Sequence, residues 1–147
     1  MGLVSVSAPP GPILADASYF VALLNKREAG HARCLEASEQ VFAPIVTCEA
    51  CITEVLHLLY HAQPAVEAML TNVQRGEIVI PFRISQSAPP VLDLMHKYSD
   101  TPCDFADACL IAMADELSTG DILTLDSDFR RYRWRRNRRF NLLISLK

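Results

Sequence analysis

Residues 102–126 read PCDFADACLIAMADELSTGDILTLD, and this stretch decides the fold. Pro102-Cys103-Asp104 is a helix start, and Ala106 to Leu117 is rich in Ala, Leu, Ile and Met. Gly120 stops that helix. Ile122-Leu123-Thr124-Leu125 then reads as a short buried strand closed by Asp126. Outward from this unit the alternation repeats. Ile13-Leu14-Ala15 is a strand closed by Asp16, and Ser18 to Asn25 is helix-like, with Phe20, Leu23 and Leu24 at helical spacing. Gly30 breaks it, and His31 to Gln40 resumes as a second helix. Val41 to Pro44 is a candidate strand. Thr47 caps a helix running to about His61, with Ile52, Val55, Leu56 and Leu59 on one face. Pro64 opens the next helix, through Arg75. Glu77 to Pro81 reads as a strand, Gln86 to Tyr98 as a helix behind two prolines, and Phe140 to Leu146 as a last apolar strand. Short strands alternating with helices predict an α/β fold, a three-layer α/β/α sandwich with a mainly parallel sheet. In such sheets the ligand crevice lies off the carboxyl ends of the strands.

The composition agrees with one folded domain. Half of the 147 residues are hydrophobic and 21% are charged, which excludes a disordered or fibrous chain. No apolar run reaches the roughly 18 residues of a membrane helix, so no membrane association is expected. Residues 1–11 have no positive start and no long apolar block; they are expected to form a loose arm before a single domain over residues 12–147. Five cysteines are an odd count for a disulfide framework, which points to a reducing cytoplasm. The net charge of −3 hides an asymmetry. Residues 127–147 hold seven Arg, one Lys and one Asp, whereas residues 1–126 hold sixteen acids against six bases. An acidic body suits a cation, and a basic end suits a phosphate backbone.

The acids stand where the crevice rule wants them. Asp16 and Asp126 each follow a strand, Asp104 and Asp107 lie in the first turn of a helix, and Glu54 lies within the apolar stretch Ile52 to Leu56. Each has a plainer role open to it. Asp16 suits a cap, Asp104 and Asp107 a capping box, Glu54 a solvated face, and Asp126 and Asp128 a turn. Taken together, carboxylates converging in a small crevice repel one another unless a cation neutralises them. Hard oxygen donors suit Mg²⁺ or Mn²⁺.

Four segments, in order, resemble the motifs of the PIN-domain family. They are Ile13 to Ser18 with Val21 to Asn25, Thr53 to Leu59, Asp104 to Ala114, and Leu123 to Phe129. The resemblance spans about residues 12–145 and is nearest to stand-alone bacterial members, the type that includes VapC toxins. It implies a metal-dependent endoribonuclease that cleaves single-stranded RNA with a metal-activated water, the toxin of a toxin–antitoxin pair. The family's acids carry over as Asp16, Glu54, Asp107 and Asp126, with Asp16, Asp107 and Asp126 as ligands of Mg²⁺ or Mn²⁺. Asp128 rivals Asp126 for the fourth place. Asp104, Thr124 and Ser18 would support the site. The family also implies an RNA substrate, an antitoxin partner and a homodimer, which the apolar helices Ser18–Gln40 and Thr47–His61 allow. A reading of another class is a PIN fold that binds nucleic acid or protein without turnover.

Other constellations are weaker. Cys48-Glu49-Ala50-Cys51 is a lone CxxC, for which a buried helical pair is a plainer reading than zinc or redox work. Glu28-Ala29-Gly30-His31 and Glu54-Val55-Leu56-His57 spell ExxH, but the chain lacks the four long helices of a di-iron bundle. No phosphate-cradling glycine motif occurs. In the run from Arg130 to Arg139, the arginines (Arg130, Arg131, Arg133, Arg135 and Arg136) are expected to pair with RNA phosphates. Tyr132 and Trp134 are expected to stack on unpaired bases. The alternative is a solvated hairpin whose aromatics pack on the body, or a surface for an acidic partner.

Overall fold

Strand alternation sets the layers. In β1 (Ile13–Ala15) the side chains of Ile13 and Ala15 enter one core and Leu14 the other. In β4 (Asp121–Leu123) Ile122 and Leu123 divide the same way. A computed structural model describes residues 11–146, so all but the last residue of the expected arm lies outside the described residues. With β2 (Ile45–Val46), β3 (Ile78–Val79) and β7 (Asn141–Leu142), these strands form a five-stranded sheet in the order β3-β2-β1-β4-β7. Every pairing in it is parallel. One face carries α1 (Ala17–Leu24), α2 (His31–Glu39) and α4 (Gln63–Gln74). The other carries α6 (Phe105–Leu117), with α5 (Ile84–Lys97) packed against it. Helix α3 (Glu49–Leu59) serves both cores: Cys51 faces α6, while Ile52, Val55 and Leu59 face α1. A small antiparallel ribbon, β5 (Arg133–Trp134) with β6 (Arg138–Arg139), closes the basic segment. Among the described residues no helix is long and apolar enough to cross a membrane.

The chain runs from β1 outward to β2 and β3 on one side, then returns to β4 and β7 on the other. The strand order therefore reverses between β1 and β4, and a crevice opens at their carboxyl ends. Asp16 follows β1, and Asp126 lies three residues past β4.

Several boundaries differ from expectation for local reasons. The strand expected over Val41–Pro44 falls at Ile45–Val46, because Pro44 has no N–H for a ladder; its carbonyl instead accepts from Ile13 N. Thr47 does not cap α3. Its hydroxyl donates to the Ala15 carbonyl at 2.8 Å, and Cys48 takes the N-cap position. Helix α5 begins at Ile84, two residues before the expected Gln86, and carries Pro89 and Pro90 within it. The two carbonyls deprived of donors belong to Ser85 and Gln86, which are exposed to water. Helix α6 is ended by Ser118 in the left-handed conformation at φ 54°, not by Gly120. Gly120 has a different duty: a Cβ there would lie 2.2 Å from Trp134 Nε1. The last strand shrinks to Asn141–Leu142, and Phe140 turns into the core against Phe129.

Candidate active site

Asp16 does two jobs. As the N-cap of α1 its Oδ1 accepts from Tyr19 N at 3.3 Å and from the Ser18 hydroxyl at 2.6 Å. Its Oδ2 accepts from the Thr124 hydroxyl at 2.7 Å. Those hydroxyls in turn accept from Leu125 N and Asp126 N, both at 2.9 Å, and so tie the segment after β4 to the carboxylate. Ser18 and Thr124 thus hold the Asp16 carboxylate and link it to the segment after β4. Asp16 is 6% exposed, and burial pushes its carboxyl up to about 6 against the pull of these three donors. A carboxylate offers about four lone-pair sites, so Oδ2 keeps one open.

Asp107 is the third residue of α6. Its N–H goes to Asp104 Oδ1 at 2.8 Å, which makes Asp104 the N-cap. Only half of a capping box forms, because the Asp107 carboxylate turns to Tyr132 Oη, 3.0 Å from its Oδ2. Burial first, and then the charges of Asp104, Asp126 and Asp16, push Asp107 up to about 7. Asp104→Ala should destabilise the protein by about 1 kcal/mol through loss of the cap. Asp107→Asn should not. Thermal melts in chelator compare the two, and the reverse order would mean that their roles are swapped.

Asp126 and Asp128 separate clearly. Asp126 caps the 3-10 turn Ser127–Arg130 through Asp128 N at 2.9 Å, and its carboxyl is raised by burial and by Asp128 and Asp104. Asp128 is paired with Arg131 at 2.6 Å, the single ion pair among the described residues. Glu54, exposed on α3, shares a shallow depression of about 530 Å³ with His57, Asp104 and Phe105. Its carboxyl is also raised, by burial and then by Asp104 and Asp126. The charge of Asp126 therefore acts on Asp16, Glu54 and Asp107, although the four acids come from four separate elements. Among the described residues no three acidic, His or Cys side chains already enclose a point where an ion would sit. The donor set is all oxygen and mutually repelling, which fits a hard divalent cation better than a soft one.

The basic segment is placed differently from expectation. Tyr132 is fully buried, and its ring packs edge-on against Tyr98 and Phe129. Trp134 is 7% exposed, donates Nε1–H to the Arg139 carbonyl, and lies under Arg135 and Arg138. Buried in this way, neither ring offers a face to a base. The Phe129-x-x-Tyr132 spacing was the available signal that this turn packs inward. Arg133 caps the carbonyls of Arg130, Arg131 and Tyr132, and Arg130 reaches the Leu146 carbonyl. Arg135 bonds to Asp115 and Ser118 at the far end of α6, about 12 Å along the helix from Asp107. Arg136, with Arg138 and Arg139, is exposed and enters no ion pair among the described residues.

Residues 13–135 match the model of the PIN domain family. No curated protein matches the chain. Among solved structures, the crystal structure of Mycobacterium tuberculosis VapC20, a sarcin-ricin loop cleaving toxin, is similar, with a TM-score of 0.73. It is 17% identical, and the likeness covers 79% of this chain and 91% of that one. At that identity the likeness carries the fold: a parallel sheet between helical layers.

Proposed function

The chain belongs to the PIN-domain family, and from that premise we propose that it is a divalent-metal-dependent ribonuclease that cuts single-stranded RNA internally, the toxin of a toxin–antitoxin pair. The observation that carries this reading is that Asp16, Glu54, Asp107 and Asp126 all have raised carboxyls, by burial first and then by acidic neighbours, with the charge of Asp126 acting on the other three. Such a crevice is unfavourable when empty and favourable around a cation. Mg²⁺ or Mn²⁺ would be held by Asp16, Asp107 and Asp126; when bound, it supplies an activated water and polarises a phosphoryl oxygen. Ser18 and Thr124 hold Asp16 in one rotamer, and Tyr132 does the same for Asp107. Glu54, on the solvent side, is the group to accept a proton as the phosphodiester is attacked. Asp128 is drawn off by Arg131, which favours Asp126 as the fourth acid. The neighbouring fold belongs to a toxin, and the same class of work is proposed here, in the cytoplasm, with a protein antitoxin. A homodimer belongs to the same proposal, since Leu58, Tyr60 and Leu70 remain 50%, 69% and 47% exposed.

The test is cleavage of a panel of RNAs with Mn²⁺, Mg²⁺ or chelator. Metal-dependent internal cuts are expected. RNA binding without cuts under any metal would return the chain to a binding module.

The arginines make a separate prediction. Arg136, Arg138 and Arg139 are the members free to meet phosphates flanking the cut. Each phosphate contact adds about 0.7 to the slope of log affinity against log salt for a single strand. Replacing all three with Ala should therefore lower that slope by about 2. Arg133→Ala should change it less, because that guanidinium is spent on backbone carbonyls. Binding is measured in an Asp16→Asn background; an unchanged slope in the triple variant would assign the ribbon to a protein partner or to plain surface.

A further inference from the structure

Three thiols meet where α3 begins. Cys48 is the N-cap of the helix and Cys51 its third residue, so the CxxC pair brackets a helix N-terminus. Their sulfurs are 3.6 Å apart, and Cys109 of α6 touches Cys48 as well. All three are about 1% exposed and none is cross-linked. A groove of about 270 Å³, lined by Cys48, Cys109, Phe82, Arg83 and Phe105, leads from solvent to Cys48. A thiol at a helix N-terminus gains thiolate character, and the thiols of Cys109 and Cys51 hold Cys48 below the ordinary thiol range.

We propose that Cys48 and Cys51 are an oxidisable dithiol that a hydroperoxide closes to a disulfide, and that closure disturbs the seam between α3 and α6. The Cys48 thiolate attacks the peroxide O–O bond, giving a sulfenic acid and releasing hydroxide (or alkoxide), which takes up a proton. Cys51 then attacks the sulfenic sulfur and expels water. Two thiols are oxidised by two electrons in all, and one peroxide is reduced. To form a bond of about 2.05 Å, the sulfurs must close about 1.5 Å. That motion draws Cys48 off Cys109, on the helix that also carries Asp107, and strains the first turn of α3. Glu54 lies three residues beyond Cys51 on that same helix.

The chemistry is independent of the proposed activity; its effect on cleavage rests on that activity. Metal-free protein is treated with hydrogen peroxide, alkylated and analysed by mass. Before alkylation the expected product is about two mass units lighter; alkylated in denaturant, it takes up label on two fewer of its five thiols than untreated protein, and it reverts with dithiothreitol. Digestion after glutamate cuts at Glu49 and separates Cys48 from Cys51, so a peptide pair joined only before reduction identifies the bond. In Cys51→Ala the sulfenic acid should persist at Cys48 and be trapped by dimedone. RNA cleavage by the oxidised protein should fall several-fold and recover on reduction. Five alkylated thiols after treatment, or a Cys48–Cys109 link, would overturn the pair. Unchanged cleavage by disulfide-containing protein would overturn the coupling. If neither form cleaves RNA, it is the proposed function that fails, and the mass result still decides the pair.

Discussion

Asp16→Asn is expected to lower metal-dependent RNA cleavage by more than about 10²-fold while leaving a folded protein. The magnitude follows from position. Loss of a group that merely orients a metal ligand costs about 10–100-fold, and Asp16 is itself placed to be the ligand. It is the most buried of the four acids, and its Oδ2 keeps a lone pair open to the crevice. The fold should survive because an amide oxygen at the Oδ1 position still accepts from Ser18 and Tyr19 N. Only the Thr124 contact must reorganise, with the hydroxyl turning to accept from the amide. Thr124→Val, which removes that donor and leaves the acid, should fall in the 10–100-fold range instead. Cleavage rates at saturating Mn²⁺, with circular dichroism on each variant, check both. Activity within tenfold of wild type in folded Asp16→Asn would remove Asp16 from the chemistry.

The site was legible where its geometry is local. Asp16 directly follows a three-residue apolar strand, and Asp104 stands three residues before the N–H that it caps. Strand ends and caps are sequence-adjacent, so the chain alone puts Asp16 at the end of its strand and Asp104 and Asp107 at the head of their helix. The alternation of short strands with helices also sufficed for the parallel sheet. Less was legible where a side chain chooses between partners distant in sequence. Thr47 looked like a cap and became a bridge to Ala15, 32 positions away. Tyr132 looked like part of a basic surface; its hydroxyl instead meets Asp107, 25 positions earlier. The arginines misled for the opposite reason. Their charge pattern is conspicuous, yet four of their six side-chain hydrogen bonds go to backbone carbonyls, three of them from Arg133 alone, which no charge count reveals. The Asp128 ion pair was legible in principle, since Arg131 lies three residues on.

Electrostatics give the second large effect: the metal-free protein should lose stability as pH rises. An acid whose folded pKa lies above its unfolded value binds its proton more tightly when folded. Its contribution is fully present below the unfolded pKa and is lost as pH passes the folded one. For Asp16 the window runs from 3.8 to about 6, and for Asp107 from 3.8 to about 7. The Asp16 shift of about two units corresponds to on the order of 3 kcal/mol. Asp107 adds to it with the same sign, though water reaches that group. At about 2–4 °C per kcal/mol for a domain near this size, the melting temperature in chelator should fall by roughly 10 °C between pH 4 and pH 8. Asp107→Asn should flatten the part of the fall nearest pH 7 and melt at least as high as wild type at pH 8. Mn²⁺ should restore wild type at pH 8 and do little at pH 5, where protons already occupy the carboxylates that it needs. Binding near pH 6.5 should therefore release protons, which calorimetry in buffers of different ionisation enthalpy detects. A melting temperature that stays level or rises with pH in chelator would mean that neither burial nor neighbouring charge raises these carboxyls, and the electrostatic case for a cation would go with it.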